Sequence, residues 1–350
     1  MRSSLRTATG TTPDQRRHPN DAALQPEKRR RSRFRTHMQM LAIQIASFDP
    51  HSSQAVRLVQ FSIFIYTICA AVLLLVTGLV SYAVIRFRGR PGQPDPTPGY
   101  GRVKLEIAWT LGPFILVIVI FVFTFRTAQA VDPPAPASPD LVIVAHQWWW
   151  EVRYPRAGFT TANEIHIPIG KDLAFRIESA DVIHDFWVPQ LARKMDAIPG
   201  HPSNIWIEAN RIGTYLGACS EFCGAEHGWM RFRVIVDSQV DYDAWEKQQA
   251  RLAADPSPGL PAEGFRLFHE ETCVRCHTVD GTEAKGDVGP DLTHVASRQR
   301  IAAELLANTP ENMTRWMTDP QAIKPGCHMP NMQFTGDQVK AVVAYLEELR

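Results

Sequence analysis

Residues 219–230 read CSEFCGAEHGWM, which places Cys219, Cys223, His227 and Met230 in one short loop. Two thiols, an imidazole and a thioether at this spacing open four chemistries: a disulfide, a zinc site, an activated cysteine or copper. Zinc takes four Cys or His ligands, usually from paired knuckles, and has no use for methionine. A Cys219–Cys223 disulfide leaves His227 and Met230 without a task. An activated cysteine wants a base but not a second thiol beside it. Soft thiolate and thioether ligands with imidazole are a copper set. Two cysteines can bridge two copper ions, and each ion then needs one histidine and one weaker ligand. The loop supplies one of each, so a second histidine must come from elsewhere. His184, in SADVIHDFWVPQLARKMDAIPG (179–200), is the candidate. His146, His166 and His201 are read as structural.

A second constellation is CVRCH at 273–277, the signature of covalent haem c attachment. Cys273 and Cys276 would add to the vinyl groups and His277 would supply one axial nitrogen. CxxCH also occurs in redox and zinc proteins. Here a helical stretch precedes it, a GPDL turn follows (289–292), and KPGCHMP (324–330) lies just before the last helix. A methionine sulfur on such a loop reaches the open face of the iron, and Met/His ligation suits electron transfer. Met329 is assigned as that ligand, with Met332 as runner-up. Met313, Met317 and Trp316 sit at helical spacing and read as core. Cys327 and His328, next to Met329, are unusual neighbours for a haem edge, and Cys327 is open to two readings, an inert thiol or an oxidation-sensitive one.

The elements that must position these groups are of three kinds. LVQFSIFIYTICAAVLLLVTGLVSYAVI (58–85) and AWTLGPFILVIVIFVFTF (108–125) carry no charge and match the roughly 20 residues needed to cross a bilayer. Cys69, within the first, reads as a small buried hydrophobe. The connection between them holds Arg86, Arg88, Arg90, Arg102 and Lys104 against Asp95 and Glu106. The positive-inside rule puts it in the cytoplasm and both termini outside. Haem attachment, which takes place on the outer face of a bacterial membrane, agrees. Short β-like segments follow a Pro-rich stretch: 141–152, 163–169, 173–179, 204–209, 213–219 and 230–236. They suggest a small antiparallel sandwich or barrel. From 262 onward the pattern is helical, and AAELLANTP (302–310) is included in that reading.

Lys+Arg number 37 and Asp+Glu 36, so overall charge points to no nucleic-acid partner. The one strongly basic block, KRRRSRFR (28–35), precedes MQMLAIQIASF (38–48), and together they have the look of a leader sequence. No internal repeat is visible.

VIHDFWVPQL, CSEFCGAEHGWM, the upstream HQWWWEV and the two spans together resemble subunit II of the haem–copper cytochrome c oxidases over roughly 50–240. The C-terminal part is similar to the cytochrome c fused to some bacterial members. The resemblance implies a transmembrane α-helical hairpin, an all-β cupredoxin-like Greek-key sandwich and an all-α class I cytochrome c domain. The expected division is a basic tail (1–55), hairpin (56–127), Pro-rich linker (128–140), copper domain (141–254), linker (255–261) and cytochrome c domain (262–350). It further implies a binuclear CuA centre held by His184, Cys219, Cys223, His227, Met230 and the carbonyl of Glu221. The Glu221 side chain would reach a magnesium ion bordering subunit I. Trp148 would be the aromatic through which electrons reach the copper, while Trp149 and Trp150 pack. Glu106 would mark the mouth of a proton path.

These expectations describe the electron-input subunit of a respiratory oxidase in a bacterial plasma membrane, with both soluble domains on the periplasmic face. Electrons from cytochrome c would pass through haem c and CuA to haem a of subunit I, with subunit III a further partner. The oxygen site lies in another subunit. The alternative is a membrane-anchored copper and haem carrier serving another copper enzyme, or a copper-handling module. The linker 255–261, about 20 Å long at roughly 3 Å per residue, would tether haem near copper.

Overall fold

A computed structural model describes residues 46–89, 92, 99, 101–132 and 138–350. The basic block and most of the leader-like stretch lie outside the described residues. Two long helices come first, α1 (Ser53–Arg86) and α2 (Val103–Val131). Both outrun the apolar runs that announce them. The Ser52 hydroxyl caps α1 by accepting from the amide of Ala55, so the helix starts before the first membrane residue. Pro113 is carried inside α2, as membrane helices allow. The helices touch through Phe64 and Phe123, whose ring centroids are 4.7 Å apart. Their flanks are otherwise exposed apolar side chains. Cys69 is among them: it is exposed on α1, not buried as its apolar setting suggested, because apolar neighbours in a membrane span mean lipid as often as core.

The outer ends of both helices are fixed to the β domain. Ser52 is buried and donates its hydroxyl to the carbonyl of Leu191. The amide of His51 donates to Gln190 at 2.7 Å. At the end of α2, Arg193 donates to Asp132 at 2.7 Å.

The β domain is a sandwich of two five-stranded sheets. One has the order β3-β2-β1-β5-β8, from β1 (Leu141–His146), β2 (Trp149–Tyr154), β3 (Phe159–Ala162), β5 (Asp172–Ser179) and β8 (Ser203–Glu208). The other runs β4-β10-β9-β6-β7, from β4 (Glu164–Pro168), β6 (His184–Trp187), β7 (Met195–Ala197), β9 (Gly213–Cys219) and β10 (Arg231–Asp237). Each sheet contains one parallel pair, β1 with β5 and β10 with β4, so the wholly antiparallel expectation fails. Periodicity along a strand reports which face is buried, not the direction of its neighbour. The expected single segment 141–152 is a hairpin, with His146 opposite Trp149 and the turn at Gln147–Trp148. Between the sheets lie Trp150, Phe175, Phe186 and Phe232, all fully buried. Phe232 lies over Gly217, where a Cβ would come within 2.3 Å of the ring.

After α3 (Gln239–Gln249) the chain enters a helical lobe: α4 (Leu260–Glu270), α5 (Cys273–Cys276), α6 (Pro310–Thr318), α7 (Pro320–Ile323) and α8 (Gly336–Glu348). α4 and α8 cross closely at Gly264, where a Cβ would collide with the Ala341 carbonyl. The stretch read as a helix at 302–310 is instead a tight hairpin of β11 (Arg300–Ile301) and β12 (Leu306–Ala307). Ala302, Ala303 and Glu304 have φ of 55°, 54° and 73°. Helix propensity amounts to only tenths of a kcal/mol per residue. A buried ion pair outweighs it: Glu304 accepts two hydrogen bonds from Arg233 of β10, at 2.9 and 2.5 Å.

That pair belongs to an extensive contact between the two lobes. Glu164, buried on β4, accepts from the amides of Gln299 and Arg300 at 2.7 and 2.9 Å. The buried Arg298 donates to Thr161 at 3.3 Å. The connecting segment is itself pinned, with the amide of Ala253 donating to Asp280 at 2.9 Å and that of Ser257 to Glu348 at 2.9 Å. The helical lobe is thus docked through both main-chain and side-chain groups of its own, in addition to the 255–261 linker.

Candidate metal centre and haem cavity

The loop 219–230 spans the ends of β9 and β10, which are adjacent and antiparallel. The amide of Cys219 donates to the carbonyl of Met230 at 3.0 Å and closes it. Within this ring a short 3-10 turn, His227–Trp229, turns the histidine back toward the thiols. β6 lies against β9 with Phe186 opposite Cys219, and that register brings in His184 at the start of β6.

The donor atoms converge. Cys219 Sγ lies 3.6 Å from Cys223 Sγ, and Cys223 Sγ lies 3.7 Å from His227 Nδ1 and 3.8 Å from Met230 Sδ. His184 Nδ1 is 3.2 Å from Met230 Sδ and 3.9 Å from Cys219 Sγ. The Glu221 carbonyl is 3.2 Å from Cys219 Sγ, while its exposed side chain accepts from the amide of Phe222. Donors bonded at about 2.2 Å to one tetrahedral ion lie about 3.6 Å apart. The spacing therefore fits metal binding without rearrangement, and the S/N donor chemistry fits copper.

The electrostatics favour the ligand form at one thiol, Cys219, while Cys223 and His184 hold their protons more tightly and would release them to a metal. The hydrogen bond from Cys223 holds the Cys219 thiol far below its usual range, to about 3, against the opposing effect of burial. His184 and His227 add to the effect. The Cys223 thiol, which keeps the shared proton, is raised correspondingly. Burial opposes charge on His184, but its hydrogen bond to Asp181 and the nearby Cys219 leave its pKa raised. Asp181 accepts from His184 Nε2 at 2.7 Å, so Nδ1 is the nitrogen facing the sulfurs. Asp181 was missed in the sequence; its only signal is a carboxylate three residues before the histidine.

Trp148 closes the other side. It is 9% exposed, and its indole N–H donates to the Cys223 carbonyl at 3.0 Å. The Gln147 amide donates to the same oxygen at 2.8 Å. Gly224 has φ of 116°, and a Cβ there would touch the Trp148 ring at 3.0 Å, so this approach requires glycine. Trp150 is core, and Trp149 stacks on His146 at 4.3 Å. His146 pairs with Glu151 and His166 with Asp237, at 2.9 and 2.6 Å. Both stand apart from the cluster.

In the helical lobe, Cys273, Cys276, His277, Met329 and Met332 line one cavity enclosing about 1330 Å³ of atom-free space, part of it open to solvent. His277 Nδ1–H donates to the Pro290 carbonyl at 2.7 Å, which leaves Nε2 as the free nitrogen. Burial lowers the His277 pKa and keeps it neutral. A Cβ on Gly289 would sit 2.5 Å from this ring. Paired thiols, a neutral imidazole and a large apolar hollow fit haem c. Met313 and Met317 are buried and also reach the cavity wall. The Met329 loop is braced by Gln321, whose amide donates to the carbonyls of Cys327 and Met329 at 2.7 and 3.0 Å. Burial pushes the Cys327 thiol up, toward the inert of its two readings.

Three family profiles match the chain. Cytochrome C oxidase subunit II, transmembrane domain, covers residues 36–127; its periplasmic domain covers 156–238; and Cytochrome c covers 261–350. A cytochrome c oxidase subunit 2 of Alkalihalophilus pseudofirmus is 33% identical over 315 residues, 87% of this chain and 91% of the relative. The chain belongs to the cytochrome c oxidase subunit 2 family. The corresponding subunit of Bacillus sp. strain PS3 is 32% identical, over 75% of this chain and 80% of the relative. Among solved structures, the periplasmic domain of subunit II of the Bradyrhizobium japonicum cytochrome oxidase is 30% identical, covering 33% of this chain and 96% of that one, with a TM-score of 0.31.

As a subunit 2 protein the chain is a membrane-anchored bacterial component of an oxidase and works with other oxidase subunits. Its periplasmic-type domain implies copper and its cytochrome c domain implies haem. Glu106, in the first turn of α2, is exposed and is not brought to either centre.

Proposed function

We propose that this chain is the electron-input subunit of a proton-translocating oxidase, passing electrons from cytochrome c through its own haem c to a binuclear CuA centre, and on to haem a of subunit I. Haem and copper, when bound, supply the one-electron couples. The chain's residues hold and insulate them. His184, Cys219, Cys223, His227, Met230 and the Glu221 carbonyl are the copper ligands. Cys273, Cys276, His277 and Met329 hold the haem. Trp148 lies on the electron path, the Glu221 side chain faces a magnesium ion at the subunit I border, and Glu106 stands at a proton-path mouth. The soluble domains, taken as 141–254 and 262–350 with linkers at 128–140 and 255–261, stand on the periplasmic side. Subunit III completes the partners.

The observation carrying this reading is the convergence of two buried thiols, a buried thioether, the buried His184 and the half-buried His227, with Trp148 bonded to the Cys223 carbonyl. Absorption spectra and metal analysis of the purified protein test it. Haem c bands together with a near-infrared copper band are expected. A colourless copper(I) protein overturns the reading in favour of a copper-handling module.

A further inference from the structure

The two loops that carry the metal-site residues meet each other. His328, next to Met329, and Trp148 both line the haem cavity, and their ring centroids are 5.0 Å apart at an interplanar angle of 54°. Trp148 in turn is bonded through its indole N–H to the Cys223 carbonyl. An aromatic pair at this separation is in van der Waals contact. The chain of contacts therefore runs from the haem cavity to a cysteine of the copper loop with no gap that solvent must fill.

Other residues hold the two loops at this distance. Lys324 is buried, and its ammonium donates to the Trp148 carbonyl at 2.9 Å. Gly326 lies at φ of 99°, a turn conformation that favours glycine, and it faces Glu226 and Ala225 of the copper loop at ordinary van der Waals distance. Farther out, Arg233 and Glu304 fix the lobes with a two-pronged pair whose side chains are 11% and 7% exposed. A buried Lys is costly unless it is bonded, and here that bond falls on the residue that also meets His328.

We infer that His328 and Trp148 form the aromatic bridge coupling the haem cavity to the copper loop, with Lys324 and the Arg233–Glu304 pair as the positioning residues that hold it closed. The inference rests on the electron-input reading above and names residues of the same path. The step is a one-electron oxidation on the haem side and a one-electron reduction on the copper side. No bond is made or broken, and His328 neither gains nor loses a proton. The histidine's part is to fill the space between the two redox sites with a rigid ring.

Two measurements on the full-length holo-oxidase test this. The first is a double-mutant cycle on thermal unfolding with His328→Leu and Trp148→Phe, singly and together. The bridge requires a coupling between them; strictly additive effects overturn it. The second is the rate of haem-to-copper electron transfer after flash reduction, with the absorption bands of both centres as controls. His328→Leu slows it severalfold with the bands unchanged, and His328→Phe, which restores a ring, recovers most of the rate. Equal rates in His328→Leu and the wild type, even with coupling in the cycle, make the contact structural only and overturn the inference. If the wild type itself moves no electron from haem to copper, it is the electron-input reading that falls.

Discussion

The copper loop and the haem loop solve the same problem in opposite ways. At the copper loop the donors already touch: His184, Cys219, Cys223, His227 and Met230 lie in a chain of contacts between 3.2 and 3.9 Å. At the haem loop, Met329 and His277 share the wall of a large hollow. An ion occupies the gaps between atoms, so a rigid sandwich can preassemble its site. A macrocycle is itself a piece of core, so the lobe around it is built with that piece left out. The copper domain closes its core on Trp150, Phe186 and Phe232 without help. The helical lobe leaves Met313 and Met317 facing the space that the ring would fill.

This contrast can be broken outright by removing one thiol from each site. Cys223→Ser should abolish copper binding and the near-infrared band while the haem bands persist. Cys276→Ser should lose covalent haem and destabilise the helical lobe while copper remains. Both are read by metal analysis and absorption of the purified chain. Loss of copper in Cys276→Ser would show that the preassembled site depends on the haem lobe.

A smaller effect sharpens the role of docking. Arg233→Met leaves the buried Glu304 carboxylate with only the longer 4.0 Å contact to Arg300, which costs about 3 kcal/mol. Hydrogen exchange at the amides of Gln299 and Arg300, which bond to Glu164 across the interface, should accelerate. Copper content should not change. Unaltered exchange at these amides would mean that the lobes are held by other contacts.

The effect that is smallest at any one step of pH is a pH dependence at the junction. Burial lowers the Lys324 ammonium from 10.5 to about 8, and the nearby Glu226 only partly offsets this. Between those values the unfolded chain binds more protons than the folded one. Stability thus rises with pH across that window, by up to about 1 kcal/mol per unit, and bears the full cost below pH 8. Thermal unfolding of Lys324→Met should lose this increment relative to the wild type between pH 8 and 10. Parallel pH profiles for the two proteins would remove the assigned cost.

The metal-site residues were legible in the sequence because chemistry restricts them to few residue types at short spacing. CSEFCGAEHGWM and CVRCH each lie within one loop or turn, and His184 and Met329 are the two candidates that come from another strand or loop. The membrane helices were legible for a similar reason, since twenty apolar residues have few alternative fates. What failed depends on partners far away in the chain. AAELLA has the composition of a helix, yet Arg233, 71 residues upstream, pulls Glu304 into a left-handed turn. The parallel pairing of β1 with β5 leaves no trace in either strand alone. His328 stands out in the sequence only as an odd neighbour for a haem edge, and Lys324 and Glu164 carry no signal at all, because their partners belong to a different lobe. The bonds from Glu164, Arg233 and Lys324 join the 255–261 linker in holding the lobe in place.

Glu164 reads the helical lobe through two main-chain amides, not through side chains. Almost any amino acid can present an N–H, proline excepted. The side chains at 299 and 300 are therefore free to drift as far as this contact is concerned, provided the hairpin keeps its shape. A swapped-in haem module would be tested at this contact on the path of its chain, and at Arg233 on the side chains it offers.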